Sequence, residues 1–314
     1  MDATPMGQKA TYKVSNWKDY NRSLINRGNL TVWISDEALI AWNATVPSGR
    51  RGRAKTYSDL AIETALTLRG LLRLPLRQTQ GFIEGLFKLL DLKLDAPSYS
   101  TLSRRADGLG IDLAALTGKS PVNVVVDATG LKVFGEGEWK MRTHGKDKRR
   151  TWRKLHIAIN RETHEIIALT LTESNVHDSM ETKSLLDQID NVATVTGDKG
   201  YDNKNAYDPI AARNARAIIP PRSGAALKLK NPTWGDVERN RLVRENHLLG
   251  KDAWKSGSGY RKRVLVETGI GRYKRTLGAS LHSRRLGRQR AEVRLGAKIL
   301  NKMTHLGMPK SYKV

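Results

Sequence analysis

Two aspartates end short apolar runs in the second half of the sequence, and this pattern suits carboxylate chemistry. Asp127 follows Val124-Val125-Val126, and Asp198 follows Val195-Thr196-Gly197. Two strands of one sheet bring such acids to the same edge, where their repulsion is relieved by a divalent cation. We therefore expect a metal site there. Read on its own, Asp127 equally fits a strand cap ahead of Gly130.

A third acid belongs to a helical pattern near the C-terminus. Tyr260, Arg263, Glu267 and Lys274 follow one another at intervals of 3, 4 and 7 residues. At 3.6 residues per turn they share one face about 60° wide. A carboxylate with cations one and two turns away suits a metal that carries a phosphate, because the acid ligates the metal and the cations hold phosphate oxygens. Taken alone, Arg263 and Glu267 are better explained as an ordinary intrahelical ion pair.

Hydrophobic periodicity predicts the strands and helices that position these acids. After about residue 121 the pattern is strand, strand, strand, helix, strand, helix, strand, which is typical of an α/β fold. The predicted ranges are strands at 122–128, 154–160, 165–172, 193–198 and 216–221, and helices at 178–189, 203–214, 260–285 and 289–305.

The first third of the sequence predicts helices instead. Apolar spacing and serine caps place helices at 57–72, 76–90 and 98–109, an order that resembles a helix-turn-helix DNA-binding domain, and residues 31–34 suggest a short extended piece. We predict two domains. The first is an arm and a helical domain at 1–118. The second is a catalytic domain at 119–314, with an insertion at about 222–258 and a C-terminal helical tail.

The charge balance points to a polyanion as the partner. The chain has 55 Lys and Arg against 31 Asp and Glu, a formal net charge of +24. Cysteine is absent, which excludes disulfides and thiolate catalysis, and neither a signal peptide nor a membrane-spanning segment is expected. Candidate DNA contacts are Arg50, Arg51, Arg53, Arg104, Arg105, Lys148, Arg149, Arg150 and Arg153. The run 49–53 fits a minor-groove arm or a plain basic linker equally well.

The three acids Asp127, Asp198 and Glu267 follow one another at intervals of about 70 residues, and they resemble the DDE triad of transposases. The run Tyr260-x2-Arg263-x3-Glu267-x6-Lys274 resembles the Tyr-Arg-Glu-Lys signature of bacterial transposases in the insertion-sequence-four-like superfamily. Asp198-Lys199-Gly200-Tyr201 is similar to the family's second-aspartate motif, and the stretch from Asn16-Trp17 to Trp42 is similar to its insertion-sequence-five group.

This resemblance implies a ribonuclease-H-like core in which Asp127, Asp198 and Glu267 bind two Mg²⁺ ions, with Mn²⁺ as a substitute. It implies that Arg263 and Lys274 hold phosphates near the cut and that Tyr260 stacks on a displaced base or contacts the backbone. His177, in an Asn-x-His-Asp run similar to the family's, would approach the metals or the scissile phosphate; a helix-cap role explains it adequately as well.

The activity implied is that of a DNA transposase in the bacterial cytoplasm, associated with the nucleoid. It would bind the terminal inverted repeats of its element, cleave double-stranded DNA there and join the 3′-OH ends to target DNA, as a homodimer or higher oligomer on the DNA. Two alternatives stay open at this stage: a non-catalytic repressor or architectural protein, and a stand-alone nuclease of the same fold.

Overall fold

The computed structural model describes residues 12–45, 55–113, 120–133 and 151–314, and within these ranges the central element is a six-stranded mixed sheet. The strands are β1 (Tyr12–Val14), β2 (Val122–Val133), β3 (Trp152–Asn160), β4 (Ile166–Glu173), β5 (Val192–Thr196), β6 (Arg216–Ile218), β7 (Ser280–Leu281) and β8 (Ser311–Lys313). The main path is β4-β3-β2-β5-β6, and β7 pairs with the far end of β2. Strands β1 and β8 form a separate antiparallel pair.

Strand β2 is the central strand of the sheet, and it contains the candidate acid Asp127. It pairs antiparallel with β3 and parallel with β5. Val125 lies opposite Thr196, the last residue of β5, and positions 127 and 198 each come two residues later in the chain. The β-branched runs therefore form the expected strands, and a mixed sheet with flanking helices fits a ribonuclease-H-like core.

Twelve α-helices lie in the described ranges. They are α1 (Trp17–Asn26), α2 (Leu30–Trp33), α3 (Asp36–Ile40), α4 (Asp59–Leu72), α5 (Leu76–Leu89), α6 (Tyr99–Arg105), α7 (Thr182–Leu186), α8 (Lys204–Ala211), α9 (Trp234–Leu249), α10 (Lys251–Gly257), α11 (Val264–Leu277) and α12 (Leu286–Leu306). Short 3₁₀ turns cover Asp178–Glu181, Lys199–Tyr201 and Tyr260–Arg263.

Several sequence predictions of local structure are wrong. The strand predicted at 122–128 runs on to Val133, because its pairing with β3 continues to Lys132 opposite Trp152, so Asp127 lies within β2 and not at its C-terminal end. Residues 31–33 lie in helix α2 and only Ile34 is extended, because the Asn29 side chain accepts from the Thr31 N–H at 3.1 Å and caps this helix. The long helix predicted at 260–285 begins as a 3₁₀ turn and ends at Leu277. Gly278 follows with φ of 100°, a left-handed backbone conformation that glycine tolerates and that ends the helix.

The sheet has hydrophobic clusters on both faces because side chains of β2 alternate. Val125 and Leu131 pack in a cluster with α4, α11 and α12, whereas Val124 and Val126 pack in a second cluster with α7 and α8. Several side chains of the N-terminal helices, Trp42, Leu68 and Leu102 among them, belong to the first cluster. The predicted boundary at 118 and 119 lies outside the described residues, so the division into domains stays a prediction. No helix within the described ranges combines the length and apolarity that crossing a bilayer requires.

Candidate active site

Asp127 is a mostly buried acid in the middle of β2. Its side chain is 20% exposed, and Oδ1 accepts a hydrogen bond from the Ala128 N–H at 2.8 Å. Oδ2 lies 3.4 Å from Nη1 of Arg263. Burial raises the pKa of Asp127, the Ala128 N–H and Arg263 oppose that rise, and repulsion from Asp198 and Asp178 adds to it. Burial is therefore the main reason why the charged form of this acid is disfavoured, and the two neighbouring acids contribute less.

Asp198 follows β5 and caps the 3₁₀ turn Lys199–Tyr201. Its Oδ1 accepts from the Gly200 N–H at 2.7 Å. A Cβ atom added at Gly200 would lie 2.9 Å from that same oxygen. The carboxylate and the glycine backbone are thus in such close contact that the orientation of Asp198 depends on position 200 lacking a side chain.

Replacing Gly200 by alanine is expected to lower cleavage activity by about 10- to 100-fold, because the added methyl group displaces the Asp198 carboxylate by a fraction of an ångström or more. The fold should persist, since the displaced atom is the free end of a side chain. Metal-dependent DNA cleavage and thermal unfolding are measured together. Gly271→Ala, on α11 with no atom within 4 Å of the added Cβ, is the matched control and should keep full activity. Equal activity of the two variants would contradict the role of Gly200.

Glu267 lies in the first turn of α11, with its side chain 49% exposed, and forms an ion pair with Arg263 four residues earlier. Because Arg263 also contacts Asp127, this arginine joins the acid of the helix to the acid of the sheet. Tyr260 packs against Trp254 with ring centroids 5.8 Å apart. Burial raises the pKa of Tyr260, as do Asp198 and Glu267, against the lowering effect of Arg263. The 3₁₀ turn and helix α11 therefore bring Arg263 into contact with Asp127 and Glu267, and Tyr260 and Arg263 are within the electrostatic influence of Asp198.

Two other predicted residues are placed less directly. Lys274 lies two turns beyond Glu267 on α11, outside the contacts that join Tyr260, Arg263 and Glu267. His177 caps the turn Asp178–Glu181, with Nδ1 at 2.9 Å from Oγ of Ser179. The local role of His177 is thus structural, and its approach to metals or phosphate stays a prediction.

The sequence reading missed two residues of this neighbourhood, Asp178 and Tyr201. The turn that carries Asp178 packs against the turn that carries Tyr201. Asp178 acts on Asp127 by charge repulsion, and the buried Tyr201 hydroxyl lies within the influence of Asp178, Asp127 and Asp198. Asp178 belongs to the Asn-x-His-Asp run and Tyr201 belongs to the run Asp198-Lys199-Gly200-Tyr201. These two motifs are the sequence features from which both residues could have been predicted.

The donor chemistry of these acids fits a hard divalent cation. The oxygens of Asp127, Asp198 and Glu267 are the kind of ligand that Mg²⁺ and Mn²⁺ prefer, and the buried Asp127 is within the electrostatic influence of Asp198. As the side chains stand, no three Asp, Glu, His or Cys side chains of the described residues converge closely enough to hold a metal. Arg263 supplies the positive charge between Asp127 and Glu267 instead.

The residues predicted to contact DNA elsewhere divide into three groups. Arg104 is exposed on α6 and lines an open groove with Lys55. Arg105 and Arg153 use their guanidinium groups internally: Arg105 contacts Asp59 and the Tyr57 carbonyl, and Arg153 donates to Gln289 at 3.0 Å. The remaining predicted contacts lie outside the described residues, and they are Arg50, Arg51, Arg53, Lys148, Arg149 and Arg150.

Two family models and a solved structure are similar to this chain. A family model described as a transposase DDE domain matches residues 118–302, and a second with the same description matches residues 25–136. The first covers more than half of the chain and includes all three candidate acids. The cryo-EM structure of the piggyBac transposase synaptic complex with hairpin DNA is similar over 95% of this chain and 78% of that chain, at 9% identity and a TM-score of 0.38. A score of this size supports no correspondence between individual residues.

Proposed function

Since the chain belongs to the DDE transposase family and is an enzyme of that type, we propose that it cleaves DNA at the ends of an insertion sequence and joins the freed 3′-OH ends to target DNA. The observation that carries the proposal is the placement of the acids. Asp127 lies in β2, Asp198 follows the neighbouring strand β5, and Arg263 joins Glu267 to Asp127. The spacing of Tyr260, Arg263, Glu267 and Lys274 supports a place in the insertion-sequence-four-like superfamily, and the stretch from Asn16-Trp17 to Trp42 supports its insertion-sequence-five group.

The proposed chemistry is two successive displacements at phosphorus. Asp127, Asp198 and Glu267 would hold two Mg²⁺ ions, or Mn²⁺ in their place. When bound, the ions would supply activation of the attacking oxygen and stabilisation of the leaving oxygen. First, the oxygen of water attacks phosphorus, the P–O3′ bond breaks, and a 3′-OH is released. Then the oxygen of that 3′-OH attacks a target phosphodiester and displaces its 3′ oxygen, so one phosphodiester bond is exchanged for another.

The remaining residues of the site would position the substrate. The guanidinium of Arg263, once partly released from its two acids, is suited to paired phosphate oxygens, and Lys274 adds a point charge two turns away. Tyr260 offers a ring, already packed against Trp254, to a base or to the backbone. These roles hold the scissile phosphate in line with the acids.

Recognition of the element ends is assigned to the N-terminal helices. Helices α4, α5 and α6 follow one another as a helix-turn-helix domain would require, and the exposed Arg104 together with Lys55 gives the groove beside α6 a positive wall. Two ends must be held together for transposition, so we propose a homodimer or higher oligomer on double-stranded DNA. The bacterial cytoplasm, next to the nucleoid, is the corresponding location.

The decisive experiment uses the DNA that flanks the gene as the source of element ends. With Mg²⁺ or Mn²⁺ the protein should cut at a terminal inverted repeat, leave a 3′-OH, and join a pre-cut end to a supercoiled plasmid. Cutting without any joining would identify a stand-alone nuclease instead. Specific binding of the ends without cutting in either metal would favour a repressor or architectural protein.

A further inference from the structure

The beginning of helix α12 carries a dense group of arginines that the candidate active site does not use. None of them forms an ion pair with an acid of the described residues, and all except Arg288 are exposed; they are Arg284, Arg285, Arg288 and Arg290. Elsewhere, Arg213 and Arg241 are paired with Asp or Glu side chains. Positive charges this close together repel one another, and a polyanion bound over them removes that repulsion.

Buried side chains hold the backbone of this arginine segment in place. Gln289 is fully buried, and its Nε2 donates to the carbonyl oxygens of Ser283 at 2.9 Å and Arg284 at 3.4 Å. Its Oε1 accepts from Nε of Arg153 on β3 at 3.0 Å. Oε2 of Glu292 accepts from the Ser283 N–H at 2.9 Å. The exposed arginines therefore extend from a fixed backbone that is attached to the central sheet.

The arginine segment also contacts helix α6. Nη1 of Arg288 donates to Oγ of Ser103 at 2.7 Å. Gly287 lies directly against Asp107, since a Cβ added there would be 2.2 Å from Oδ1. Asp107 thus lies at the first turn of α12, where a helix favours a negative charge. The exposed Arg104, next to Ser103, lines the open groove beside α6. Helix α6 and the beginning of α12 therefore form one basic surface.

This surface is within reach of a duplex held at the candidate active site. Strand β7 directly precedes the arginine segment and pairs with Lys132 and Val133 at the end of β2. Asp127 lies five residues before Lys132 in the same strand. At about 3.3 Å per residue the two positions are about 17 Å apart, the length of about five base pairs of duplex DNA. One short stretch of duplex can therefore contact both regions.

We propose that the exposed arginines of this surface bind the backbone phosphates of double-stranded DNA beside the cleavage site; they are Arg104, Arg284, Arg285 and Arg290. A guanidinium group without a counter-ion suits phosphate, because it can donate to two phosphate oxygens at once. Contacts of this kind position the duplex and carry no sequence information. The inference rests on the proposed function, since the duplex is the one that would be cut at Asp127. It adds a contact region that joins the N-terminal helices to the last helix of the chain.

The test compares two variants of the full chain that lose the same number of charges. The surface variant combines Arg284→Gln, Arg285→Gln and Arg290→Gln. The control variant removes three exposed lysines at strands β1 and β8, beyond the opposite end of the 21-residue helix α12 and about 30 Å away, and it combines Lys13→Gln, Lys310→Gln and Lys313→Gln. Fluorescence anisotropy measures the binding of a labelled duplex without divalent metal at several salt concentrations, beside thermal unfolding.

The surface variant is expected to bind the duplex about tenfold more weakly or worse. The slope of log affinity against log salt should become smaller by about 2 to 3, because each phosphate contact contributes about 0.9 to that slope. The loss should be the same for a duplex with an element end and for one of unrelated sequence. The control variant should keep its affinity within about twofold. Both variants should unfold at the temperature of the unaltered protein, because the substituted side chains are exposed.

Lysine at the same three positions gives a further check on the surface variant. Arg284→Lys, Arg285→Lys and Arg290→Lys together should restore most of the salt slope, because each lysine still neutralises a phosphate. An unchanged slope in the surface variant would overturn the inference. Equal losses in the surface and control variants would overturn it too, since net charge alone would then explain them.

Failure of the proposed function gives a different result. In that case the unaltered protein binds duplex DNA through this surface but does not cut element-end DNA with Mg²⁺ or Mn²⁺. If the unaltered protein cuts such DNA and the surface variant binds it with unchanged affinity and slope, only the further inference is wrong.

Discussion

Replacing Asp127 by asparagine is expected to lower Mg²⁺-dependent cleavage of element-end DNA by at least about 10³-fold, because the change removes a charged metal ligand from the reacting centre. Asparagine has the same shape and still offers Oδ1 to the Ala128 N–H, which donates to Asp127 at 2.8 Å. The loss of activity should therefore come from charge alone.

The same substitution is expected to leave the metal-free protein equally or more stable at neutral pH. Burial and two neighbouring acids raise the pKa of Asp127 in the folded state. A raised pKa means that folding favours the protonated carboxyl. The free energy of unfolding therefore falls as pH rises above the pKa that this carboxyl has in the unfolded chain, and at pH 7 the charge costs stability. A neutral amide removes that cost, although it also gives up the contact with Arg263.

Both expectations for Asp127→Asn are tested on purified protein. The measurements are cleavage of a labelled end fragment and the temperature of thermal unfolding. Asp187→Asn is the matched control, because this exposed acid pairs with Lys183 and Arg213 away from the proposed site and should keep full activity. Cleavage by Asp127→Asn within tenfold of the unaltered protein would exclude Asp127 as a metal ligand. A markedly lower unfolding temperature would show that Asp127 serves the fold instead.

Local sequence patterns predicted the sheet well but placed Asp127 wrongly within its strand. The β-branched runs set β2 and β5, and Asp198 follows β5 as expected, whereas Asp127 lies inside β2 because the pairing with β3 continues to Lys132. Helix capping explains two of the wrong predictions of local structure. The Asn29 side chain starts a helical turn where Thr31-Val32 suggested a strand, and Gly278 ends α11 although apolar spacing continues to Leu281.

The spacing of residues along the sequence did not predict contacts between distant parts of the chain. Arg105 was predicted to bind DNA, and its guanidinium instead meets Asp59, an acid 46 residues earlier. The turn that carries Asp178 packs against the turn that carries Tyr201, and no periodicity encodes this contact between two short turns. The motifs marked the right segments, but the partner of each side chain depends on tertiary packing.

Replacing Asp202 by alanine is expected to lower the free energy of unfolding by about 3–5 kcal/mol, the usual cost of breaking a buried ion pair. The Asp202 side chain is fully buried, and Oδ1 accepts from Nε of Arg239 at 2.8 Å and from the Tyr207 hydroxyl at 3.1 Å. Oδ2 accepts from the Arg222 N–H at 2.7 Å. Removal of the carboxylate leaves Nε of Arg239, the Tyr207 hydroxyl and the Arg222 N–H without this acceptor, and it leaves the partly buried charge of Arg239 without its counter-ion.

This ion pair also determines how the segment after β6 is attached to the candidate active site. Asp202 directly follows the turn that contains Asp198 and Tyr201, whereas Arg239 lies on α9 and Arg222 precedes that helix. Loss of Asp202 should therefore release the 222–258 segment as well as lower the unfolding temperature. Faster hydrogen exchange in α9 than in α12 of the variant would report that release.

A double-mutant cycle separates the ion pair from simple loss of packing. Urea unfolding of Asp202→Ala, Arg239→Leu and the combined variant gives the coupling energy, and contact between the two residues requires the combined loss to be smaller than the sum of the single losses. The combined variant should recover part of the stability of Asp202→Ala, because no buried charge is then left unpaired. Additive losses, or a loss below about 1 kcal/mol for Asp202→Ala, would mean that the carboxylate is hydrated and that α9 is held to the sheet by its apolar contacts instead.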